Sequence, residues 1–305
     1  MMQKSGIALL ITLLFIIAIT VAIGIGFKEI NKANQSAKQE HFLIQTNILL
    51  DDVMHLLQNN KDIDIIVKQK SPEMLYLFLS QSAFLPLESS GVKMLIEIHS
   101  ARAKFNPNTM VTPSGHINHK IEEALKVYLA RYNINESYVD MMIDMMSKVK
   151  PDMSYNTDIF QQKPYLFRDY IVSQKHLDEI TDTYIKIYKN NDINKVDFTK
   201  LFYFTKERTS YTIDLNYATT EVWQLLLDCD RERAKELSQK GGSYTKLQDV
   251  GLSEEEKSQL ARFKTGFFQP ILDVFVEIIQ NNQDIQISFE YNMQTKKGSN
   301  FRYEF

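Results

Sequence analysis

The side chains able to do chemistry are few and scattered. Cys229 is the only cysteine, which excludes an internal disulfide framework and any multi-cysteine zinc or iron-sulfur site. His116 and His119 stand three apart, a spacing that lets two imidazoles share a metal on a helix. No nearby carboxylate completes a recognisable set, so a solvated loop is the simpler reading. Asp192-Ile193-Asn194-Lys195-Val196-Asp197 opens like a calcium loop, but it lacks the mid-loop Gly and has Tyr203 where the twelfth-position Glu belongs. It reads as a polar break before the apolar run 201–204. Dinucleotide, phosphate-loop, H-E-x-x-H and G-x-S-x-G patterns are missing. No catalytic residue follows, and the chain reads as a non-enzyme without a certain cofactor.

The elements that would position these residues belong to a chain of 305 residues, 44% hydrophobic and 24% charged, with 35 basic against 38 acidic side chains. Such proportions exclude disordered and collagenous classes. A mean hydropathy slightly below zero excludes a polytopic membrane protein. The first 28 residues hold Lys4, Lys28 and no acid, so everything downstream carries a net acidic balance. That sign is wrong for a general binder of phosphate backbones.

Residues 7–27 form an uncharged apolar run whose only hydroxyl-bearing members are Thr12 and Thr20. At about 1.5 Å per residue it spans a hydrocarbon core of roughly 30 Å. A cleaved signal peptide is the competing reading, with Ala22, Gly24 and Gly26 as its small residues. Ile30, Ala33, Ala37, Ile44 and Ile48 then continue an apolar stripe at helical spacing, and no Gly or Pro intervenes before about residue 60. A single helix of about 50 residues is expected, with an outer half that packs on a globular domain.

The start Lys4-Ser5-Gly6-Ile7-Ala8-Leu9-Leu10-Ile11 resembles a type IV prepilin leader. The resemblance implies cleavage by a prepilin peptidase between Gly6 and Ile7, and methylation of Ile7. Most pilins and pseudopilins carry Glu at the fifth mature position, where this chain has Ile11. A buried carboxylate in a bilayer is costly unless paired, and in pilus assembly that Glu is thought to meet the amino-terminal ammonium of the preceding subunit. A subunit with none ahead of it has no such partner. Lack of the Glu resembles the minor pseudopilin K family of type II secretion systems (general secretion pathway protein K).

Three further segments carry the same resemblance. Residues 92–98 read as a strand, followed by Ala103-Lys104-Phe105-Asn106-Pro107-Asn108, similar to the family's segment leaving the sheet. Tyr138 to Asp144 resembles the helix bearing an Asp-Trp-x-Asp motif, here Asp144-Met145-Met146-Ser147 without the Trp and the second Asp. Ile213-Asp214-Leu215-Asn216-Tyr217-Ala218 resembles the family's Ile-Asn-Leu-Asn-Thr-Ala. Calcium enters only through this resemblance. Asp140, Asp144, Asp152 and Asp158 are the acids near the degraded motif, and no ligands are assigned among them.

Beyond the third segment, Thr219 or Thr220 suits a cap for a helix over 221–227, a second helix fits 231–240, and Gly241-Gly242 stops it. Ser253-Glu254-Glu255-Glu256 is a capping box for a helix over 254–263. Helical pairs of this sort occur in helix-hairpin-helix modules that grip DNA phosphates. The turn Leu227-Asp228-Cys229-Asp230 has no Gly and two carboxylates, so nucleic acid is disfavoured, and a DNA-uptake pseudopilus component is the alternative function. Further helices are expected over 121–131, 136–148 and 176–188. Strands are expected over 274–278, 284–291 and, after a break at 296–300, 301–305.

The expected fold class is α+β: a long amino-terminal transmembrane and pilin-like helix packed on an antiparallel sheet, interrupted by a large α-helical insertion. The expected divisions are a leader (1–6), the long helix (7–60), a first α+β part (61–106), the insertion (107–265) and returning strands (266–305). The resemblance implies a single-pass inner-membrane protein with a periplasmic domain at the tip of a pseudopilus. Its implied partners are other minor pseudopilins, further pseudopilus subunits, the prepilin peptidase, the inner-membrane platform and secreted cargo.

Overall fold

The computed structural model describes residues 40, 42–82, 84–89, 92–150, 152–280 and 283–304. Gly6, Ile7, Ile11 and the apolar run 7–27 lie outside the described residues. Among the described residues, no helix is long and apolar enough to cross a membrane.

Helix α1 covers 42–58. Phe42, Leu50, Val53 and Leu57 recur at helical spacing and are buried in the core shared with the sheet. The stripe expected to make that contact does not: Ile44 and Ile48 are 54% and 57% exposed. Residues two apart on a helix point about 200° away from each other, so α1 has two apolar faces. Phe42, Leu50 and Leu57 take the sheet, and Ile44 and Ile48 face outward. The helix ends on two asparagines. The Asn59 carboxamide donates to the His55 carbonyl (2.9 Å), and Asn60 Oδ1 accepts from Asp62 N (2.8 Å) and Ile63 N (3.3 Å). It thereby caps α2 (Lys61–Gln69). After a left-handed Lys70, α3 (Pro72–Ser82) buries Leu75 and Leu79.

The sheet is antiparallel throughout, in the order β1 (Leu85–Ser89), β2 (Val92–Ser100), β5 (Ile271–Gln280), β6 (Gln283–Asn292), β7 (Lys297–Glu304). Strands β3 (Ile213–Asp214) and β4 (Thr265–Gly266) form a separate parallel pair. On one face of the large sheet, Ile96, Ile98, Leu272, Val274, Val276, Ile278, Ile285, Ile287 and Phe289 alternate with more exposed neighbours and are buried beneath α1–α3. Each such side chain contributes about 1.5–3 kcal/mol when fully buried. The break expected at 296–300 falls earlier. Asn292 Oδ1 accepts from Gln294 N and Thr295 N, closing an Asx-type turn that lets β7 begin at Lys297. The irregularity further on is a bulge opposite Ser288 and Glu290, with left-handed Asn300 in the strand.

Strands β2 and β5 pair from Val92 with Gln280 to Ser100 with Leu272, and residues 101–270 intervene. That segment folds around its own core. It comprises α4 (His119–Ala130), α5 (Ser137–Met146), α6 (Ile159–Gln162), α7 (Gln174–Tyr188), α8 (Phe198–Leu201), α9 (Thr220–Leu227), α10 (Arg231–Gln239), α11 (Leu247–Val250) and α12 (Glu254–Leu260). Caps set several boundaries: Ser173, Thr219, Asp230 and Ser253 each accept an N–H in the first turn of the following helix. Ser253 and Glu256 make the reciprocal capping box expected from the sequence. The helix expected over 254–263 nevertheless stops at Leu260, because Phe263 turns inward to stack edge-on against Phe105. All four methionines of α5 are buried, filling an irregular space with flexible side chains.

Candidate functional site

The motif residues of the sequence converge on the passage between the sheet and the helical unit. Where the chain leaves β2, Asn106 Nδ2 donates to the carbonyls of Thr205 (3.1 Å) and Glu207 (2.6 Å). Asn108 Nδ2 donates to those of Ile171 (2.9 Å) and Thr205 (3.1 Å), while its Oδ1 accepts from Ile171 N (2.7 Å). Both carboxamides are wholly buried. They hold two distant segments, at Ile171 and at 205–207, by satisfying backbone groups that would otherwise be stranded away from water.

The return passage is built the same way. Asp214 N donates to the Arg102 carbonyl (2.8 Å), and its carboxylate accepts from Asn216 N (3.0 Å) and Gln269 N (2.7 Å). Asn216 Nδ2 donates to the carbonyls of Tyr244 and Phe267, both at 2.8 Å. Its Oδ1 accepts from Gly242 N (3.0 Å) and Tyr244 N (2.9 Å). All four hydrogen-bonding sites of one carboxamide are used. Gly242 has φ of +85°, and a Cβ there would lie 2.5 Å from the Tyr76 ring. The tandem glycine thus admits the close approach of α3 as well as ending α10.

Burial pushes the Asp214 carboxyl up to about 7, against the pull of its two N–H donors. Burial also raises Asp273, to which the Tyr203 hydroxyl donates at 3.3 Å. Arg102 stands between the two passages, 2% exposed, with one guanidinium nitrogen 2.5 Å from Glu207 and 3.3 Å from Glu290 of β6. Its guanidinium lies 4.6 Å from the Tyr211 ring centre. Sequence reasoning missed Arg102. The only signal was its place just ahead of the Asn-Pro-Asn segment, and its partners lie 105 and 188 residues away.

The four acids considered for calcium are not brought together. Asp144 is buried and accepts from the backbone N–H and side chain of both Asn156 and Thr157, at 2.7–3.0 Å. Those four donors occupy the lone-pair sites of a carboxylate. Burial raises its pKa and these donors oppose the rise. Asp140 meets Lys126 at 2.8 Å, Asp152 accepts from Ser154, and Asp158 accepts from Gln161. Among the described residues, no three His, Cys, Asp or Glu side chains are grouped so as to hold a metal. His119 is paired with Glu122 at 2.8 Å and largely exposed. Asp192 pairs with Lys195 and Asn133, and Asp197 accepts from Thr199 N at the start of α8.

The turn between α9 and α10 is shaped for a different contact from a phosphate. Left-handed Asp228 is paired with Arg131, which also donates to the Cys229 carbonyl (2.6 Å). Asp230 caps α10. The recess beside the turn, about 220 Å³, is lined by Asp228, Glu255 and Glu256. Burial pushes the Cys229 thiol up to about 11, leaving it protonated and unreactive near neutral pH.

No family model matches the chain. No curated protein matches it. Among solved structures, it is similar to a chain of the GspK-GspI-GspJ complex from the enterotoxigenic Escherichia coli Type 2 Secretion System, with a TM-score of 0.49 and 12% identity, over 90% of this chain and 97% of that one.

Proposed function

We propose that the chain is a non-enzymatic minor pseudopilin of the K type. It would start assembly with other minor pseudopilins, cap the tip of a type II secretion pseudopilus, and so support protein export across the outer membrane. The observation that carries this reading is the pairing of β2 with β5 around a helical body formed by residues 101–270. A body of that bulk on one side of a pilin-like sheet would collide with neighbours inside a repetitive filament, whereas the end of the filament leaves it room. The absence of Glu at Ile11 and the Asn106, Asn108, Asp214 and Asn216 segments support the same reading.

In this reading residues 1–6 are removed and Ile7 becomes the methylated amino terminus, available to the next subunit. The apolar run 7–27 anchors the protein in the inner membrane, with the folded part on the periplasmic side. Ile44, Ile48 and Leu56, exposed on α1, continue the stripe of Ile30, Ala33 and Ala37 and supply the lateral surface for other pseudopilin helices. Mass spectrometry of the mature amino terminus tests the proposal. Methylated Ile7 is the expected result, and an intact Met1 or cleavage near residue 26 would overturn it.

A further inference from the structure

A cleft of about 480 Å³ opens in the helical unit, lined by residues from 105–121, 208–213 and 261–264. Its size falls within the roughly 300–1,000 Å³ usual for small-ligand sites. The walls are mixed: buried Phe105, Ile121, Tyr211 and Phe263 turn an apolar surface toward it, and Thr112 and Thr209 are among the polar residues beside them. The rim is cationic, with Arg208, Arg262 and Lys264, and no carboxylate lines the cleft.

The three cations differ in how far they are engaged. Arg208, its side chain 5% exposed, is fixed by the carbonyls of Val111 and Thr112 and by Asp169 at 3.0 Å. Burial weakens its hold on the proton, and Asp169 opposes that. Arg262 and Lys264 have no carboxylate partner among the described residues, and Lys264 reaches only the Thr209 carbonyl, at 3.4 Å. Asn118 lines the same cleft and begins α4 without capping it through its side chain. The amino-terminal end of this 12-residue helix faces the rim, with Glu122 in its first turn offsetting part of the helix dipole. In a chain of acidic balance, Arg262 and Lys264 therefore place positive charge without a carboxylate partner at one partly apolar opening.

We infer that this cleft binds an organic carboxylate carried on an aromatic or aliphatic body, the anion held by Arg262 and Lys264 and the body seated against Tyr211 and Phe263. An acidic side chain, a polypeptide carboxyl terminus and a small organic acid share this chemistry. The inference is independent of the pseudopilus reading.

Saturation-transfer NMR on the full chain in non-ionic detergent tests it, using N-acetyl-phenylalanine, its carboxamide analogue N-acetyl-phenylalaninamide, and inorganic phosphate. The acid is expected to bind saturably and the amide about tenfold more weakly. Phosphate is expected to displace the acid only at much higher concentration. The double variant Arg262→Gln/Lys264→Gln should lose about tenfold in affinity for the acid with an unchanged melting temperature, and Arg262→Lys/Lys264→Arg should restore it. Equal binding of acid and amide, displacement by phosphate at the acid's own concentration, or no saturable binding of the acid would each overturn the inference. With the acid established, acetylated dipeptides bearing the carboxylate on the side chain or at the terminus distinguish the polypeptide sources.

Discussion

The sheet and the helical unit stabilise themselves by different means. In the sheet, long strands alternate apolar and polar residues, and one face closes over a core of Val, Ile, Leu and Phe. In the helical unit, elements as short as four residues pack around a core of Leu and Ile into which many Phe, Tyr and Met side chains are mixed. Their irregular connections are fastened by buried Asn106, Asn108, Asp144, Asp214 and Asn216. Regular backbone satisfies its own hydrogen bonds, so the sheet rests chiefly on apolar burial. Irregular backbone needs side chains to do it, and single polar residues there carry as much structure as a core aromatic.

Substitutions can break this contrast. Trp223→Ala in the helical core should cost about 3–5 kcal/mol in chemical denaturation. A loss below 1 kcal/mol would show that this core is plastic. Asn216→Ala removes no large apolar surface but strands Gly242 N, Tyr244 N and two carbonyls. It should cost about 3 kcal/mol, whereas an exposed asparagine such as Asn47 changed to Ala should fall within about 0.5 kcal/mol. If Asn216→Ala were equally mild, the carboxamide brace would be a bystander.

Asp214 sharpens the contrast through pH. Its folded pKa of about 7 lies above the ordinary 3.8, so the native state binds the proton more tightly than the unfolded chain. Its contribution favours folding most at low pH and is lost as pH rises from about 4 through 7, with a slope of up to about 1.4 kcal/mol per pH unit. Buried Asp144 and Asp273 shift in the same direction, which makes the difference between parent and variant the useful quantity. Asp214→Asn should lose one backbone hydrogen bond at every pH, about 1 kcal/mol, and flatten the profile between pH 5 and 7. Parallel profiles for parent and variant would refute the assignment. The smallest effect is expected at the α9–α10 turn. Arg131→Ala breaks a partly exposed pair with Asp228 and should cost about 0.5 kcal/mol, less in high salt.

Much of this architecture was legible in the sequence, for reasons that differ by element. The alternation of Ile285, Ile287 and Phe289 marked β6, and Thr219 and Ser253 marked two helix starts, because periodicity and capping are local. The buried face of α1 was misjudged: Ile44 and Phe42 are comparable apolar residues on opposite sides, and only the sheet decides between them. The Asn and Asp segments were recognised by resemblance, but their work as braces was not, since Asn216 acts on Gly242, Tyr244 and Phe267 far along the chain. Arg102 and the cationic cleft were illegible for the same reason. The residues of the cleft come from three stretches that meet only in the folded unit.

The seam at which the helical unit joins the sheet also bears on how the chain folds. Ala101 N donates to the Ile271 carbonyl at 3.0 Å, so the unit begins and ends at one point. Closing an unstructured loop of residues 101–270 to align β2 with β5 would be slow, because distant pairings must bear the entropy of closure before any contact rewards them. If the helical unit forms first, its joined ends present the two strands side by side, and the central pairing of the sheet becomes nearly as local as a hairpin. A chain emerging amino terminus first would then hold β1 and β2 unpaired on one side until the whole helical unit had appeared, and complete its sheet in the last stretch.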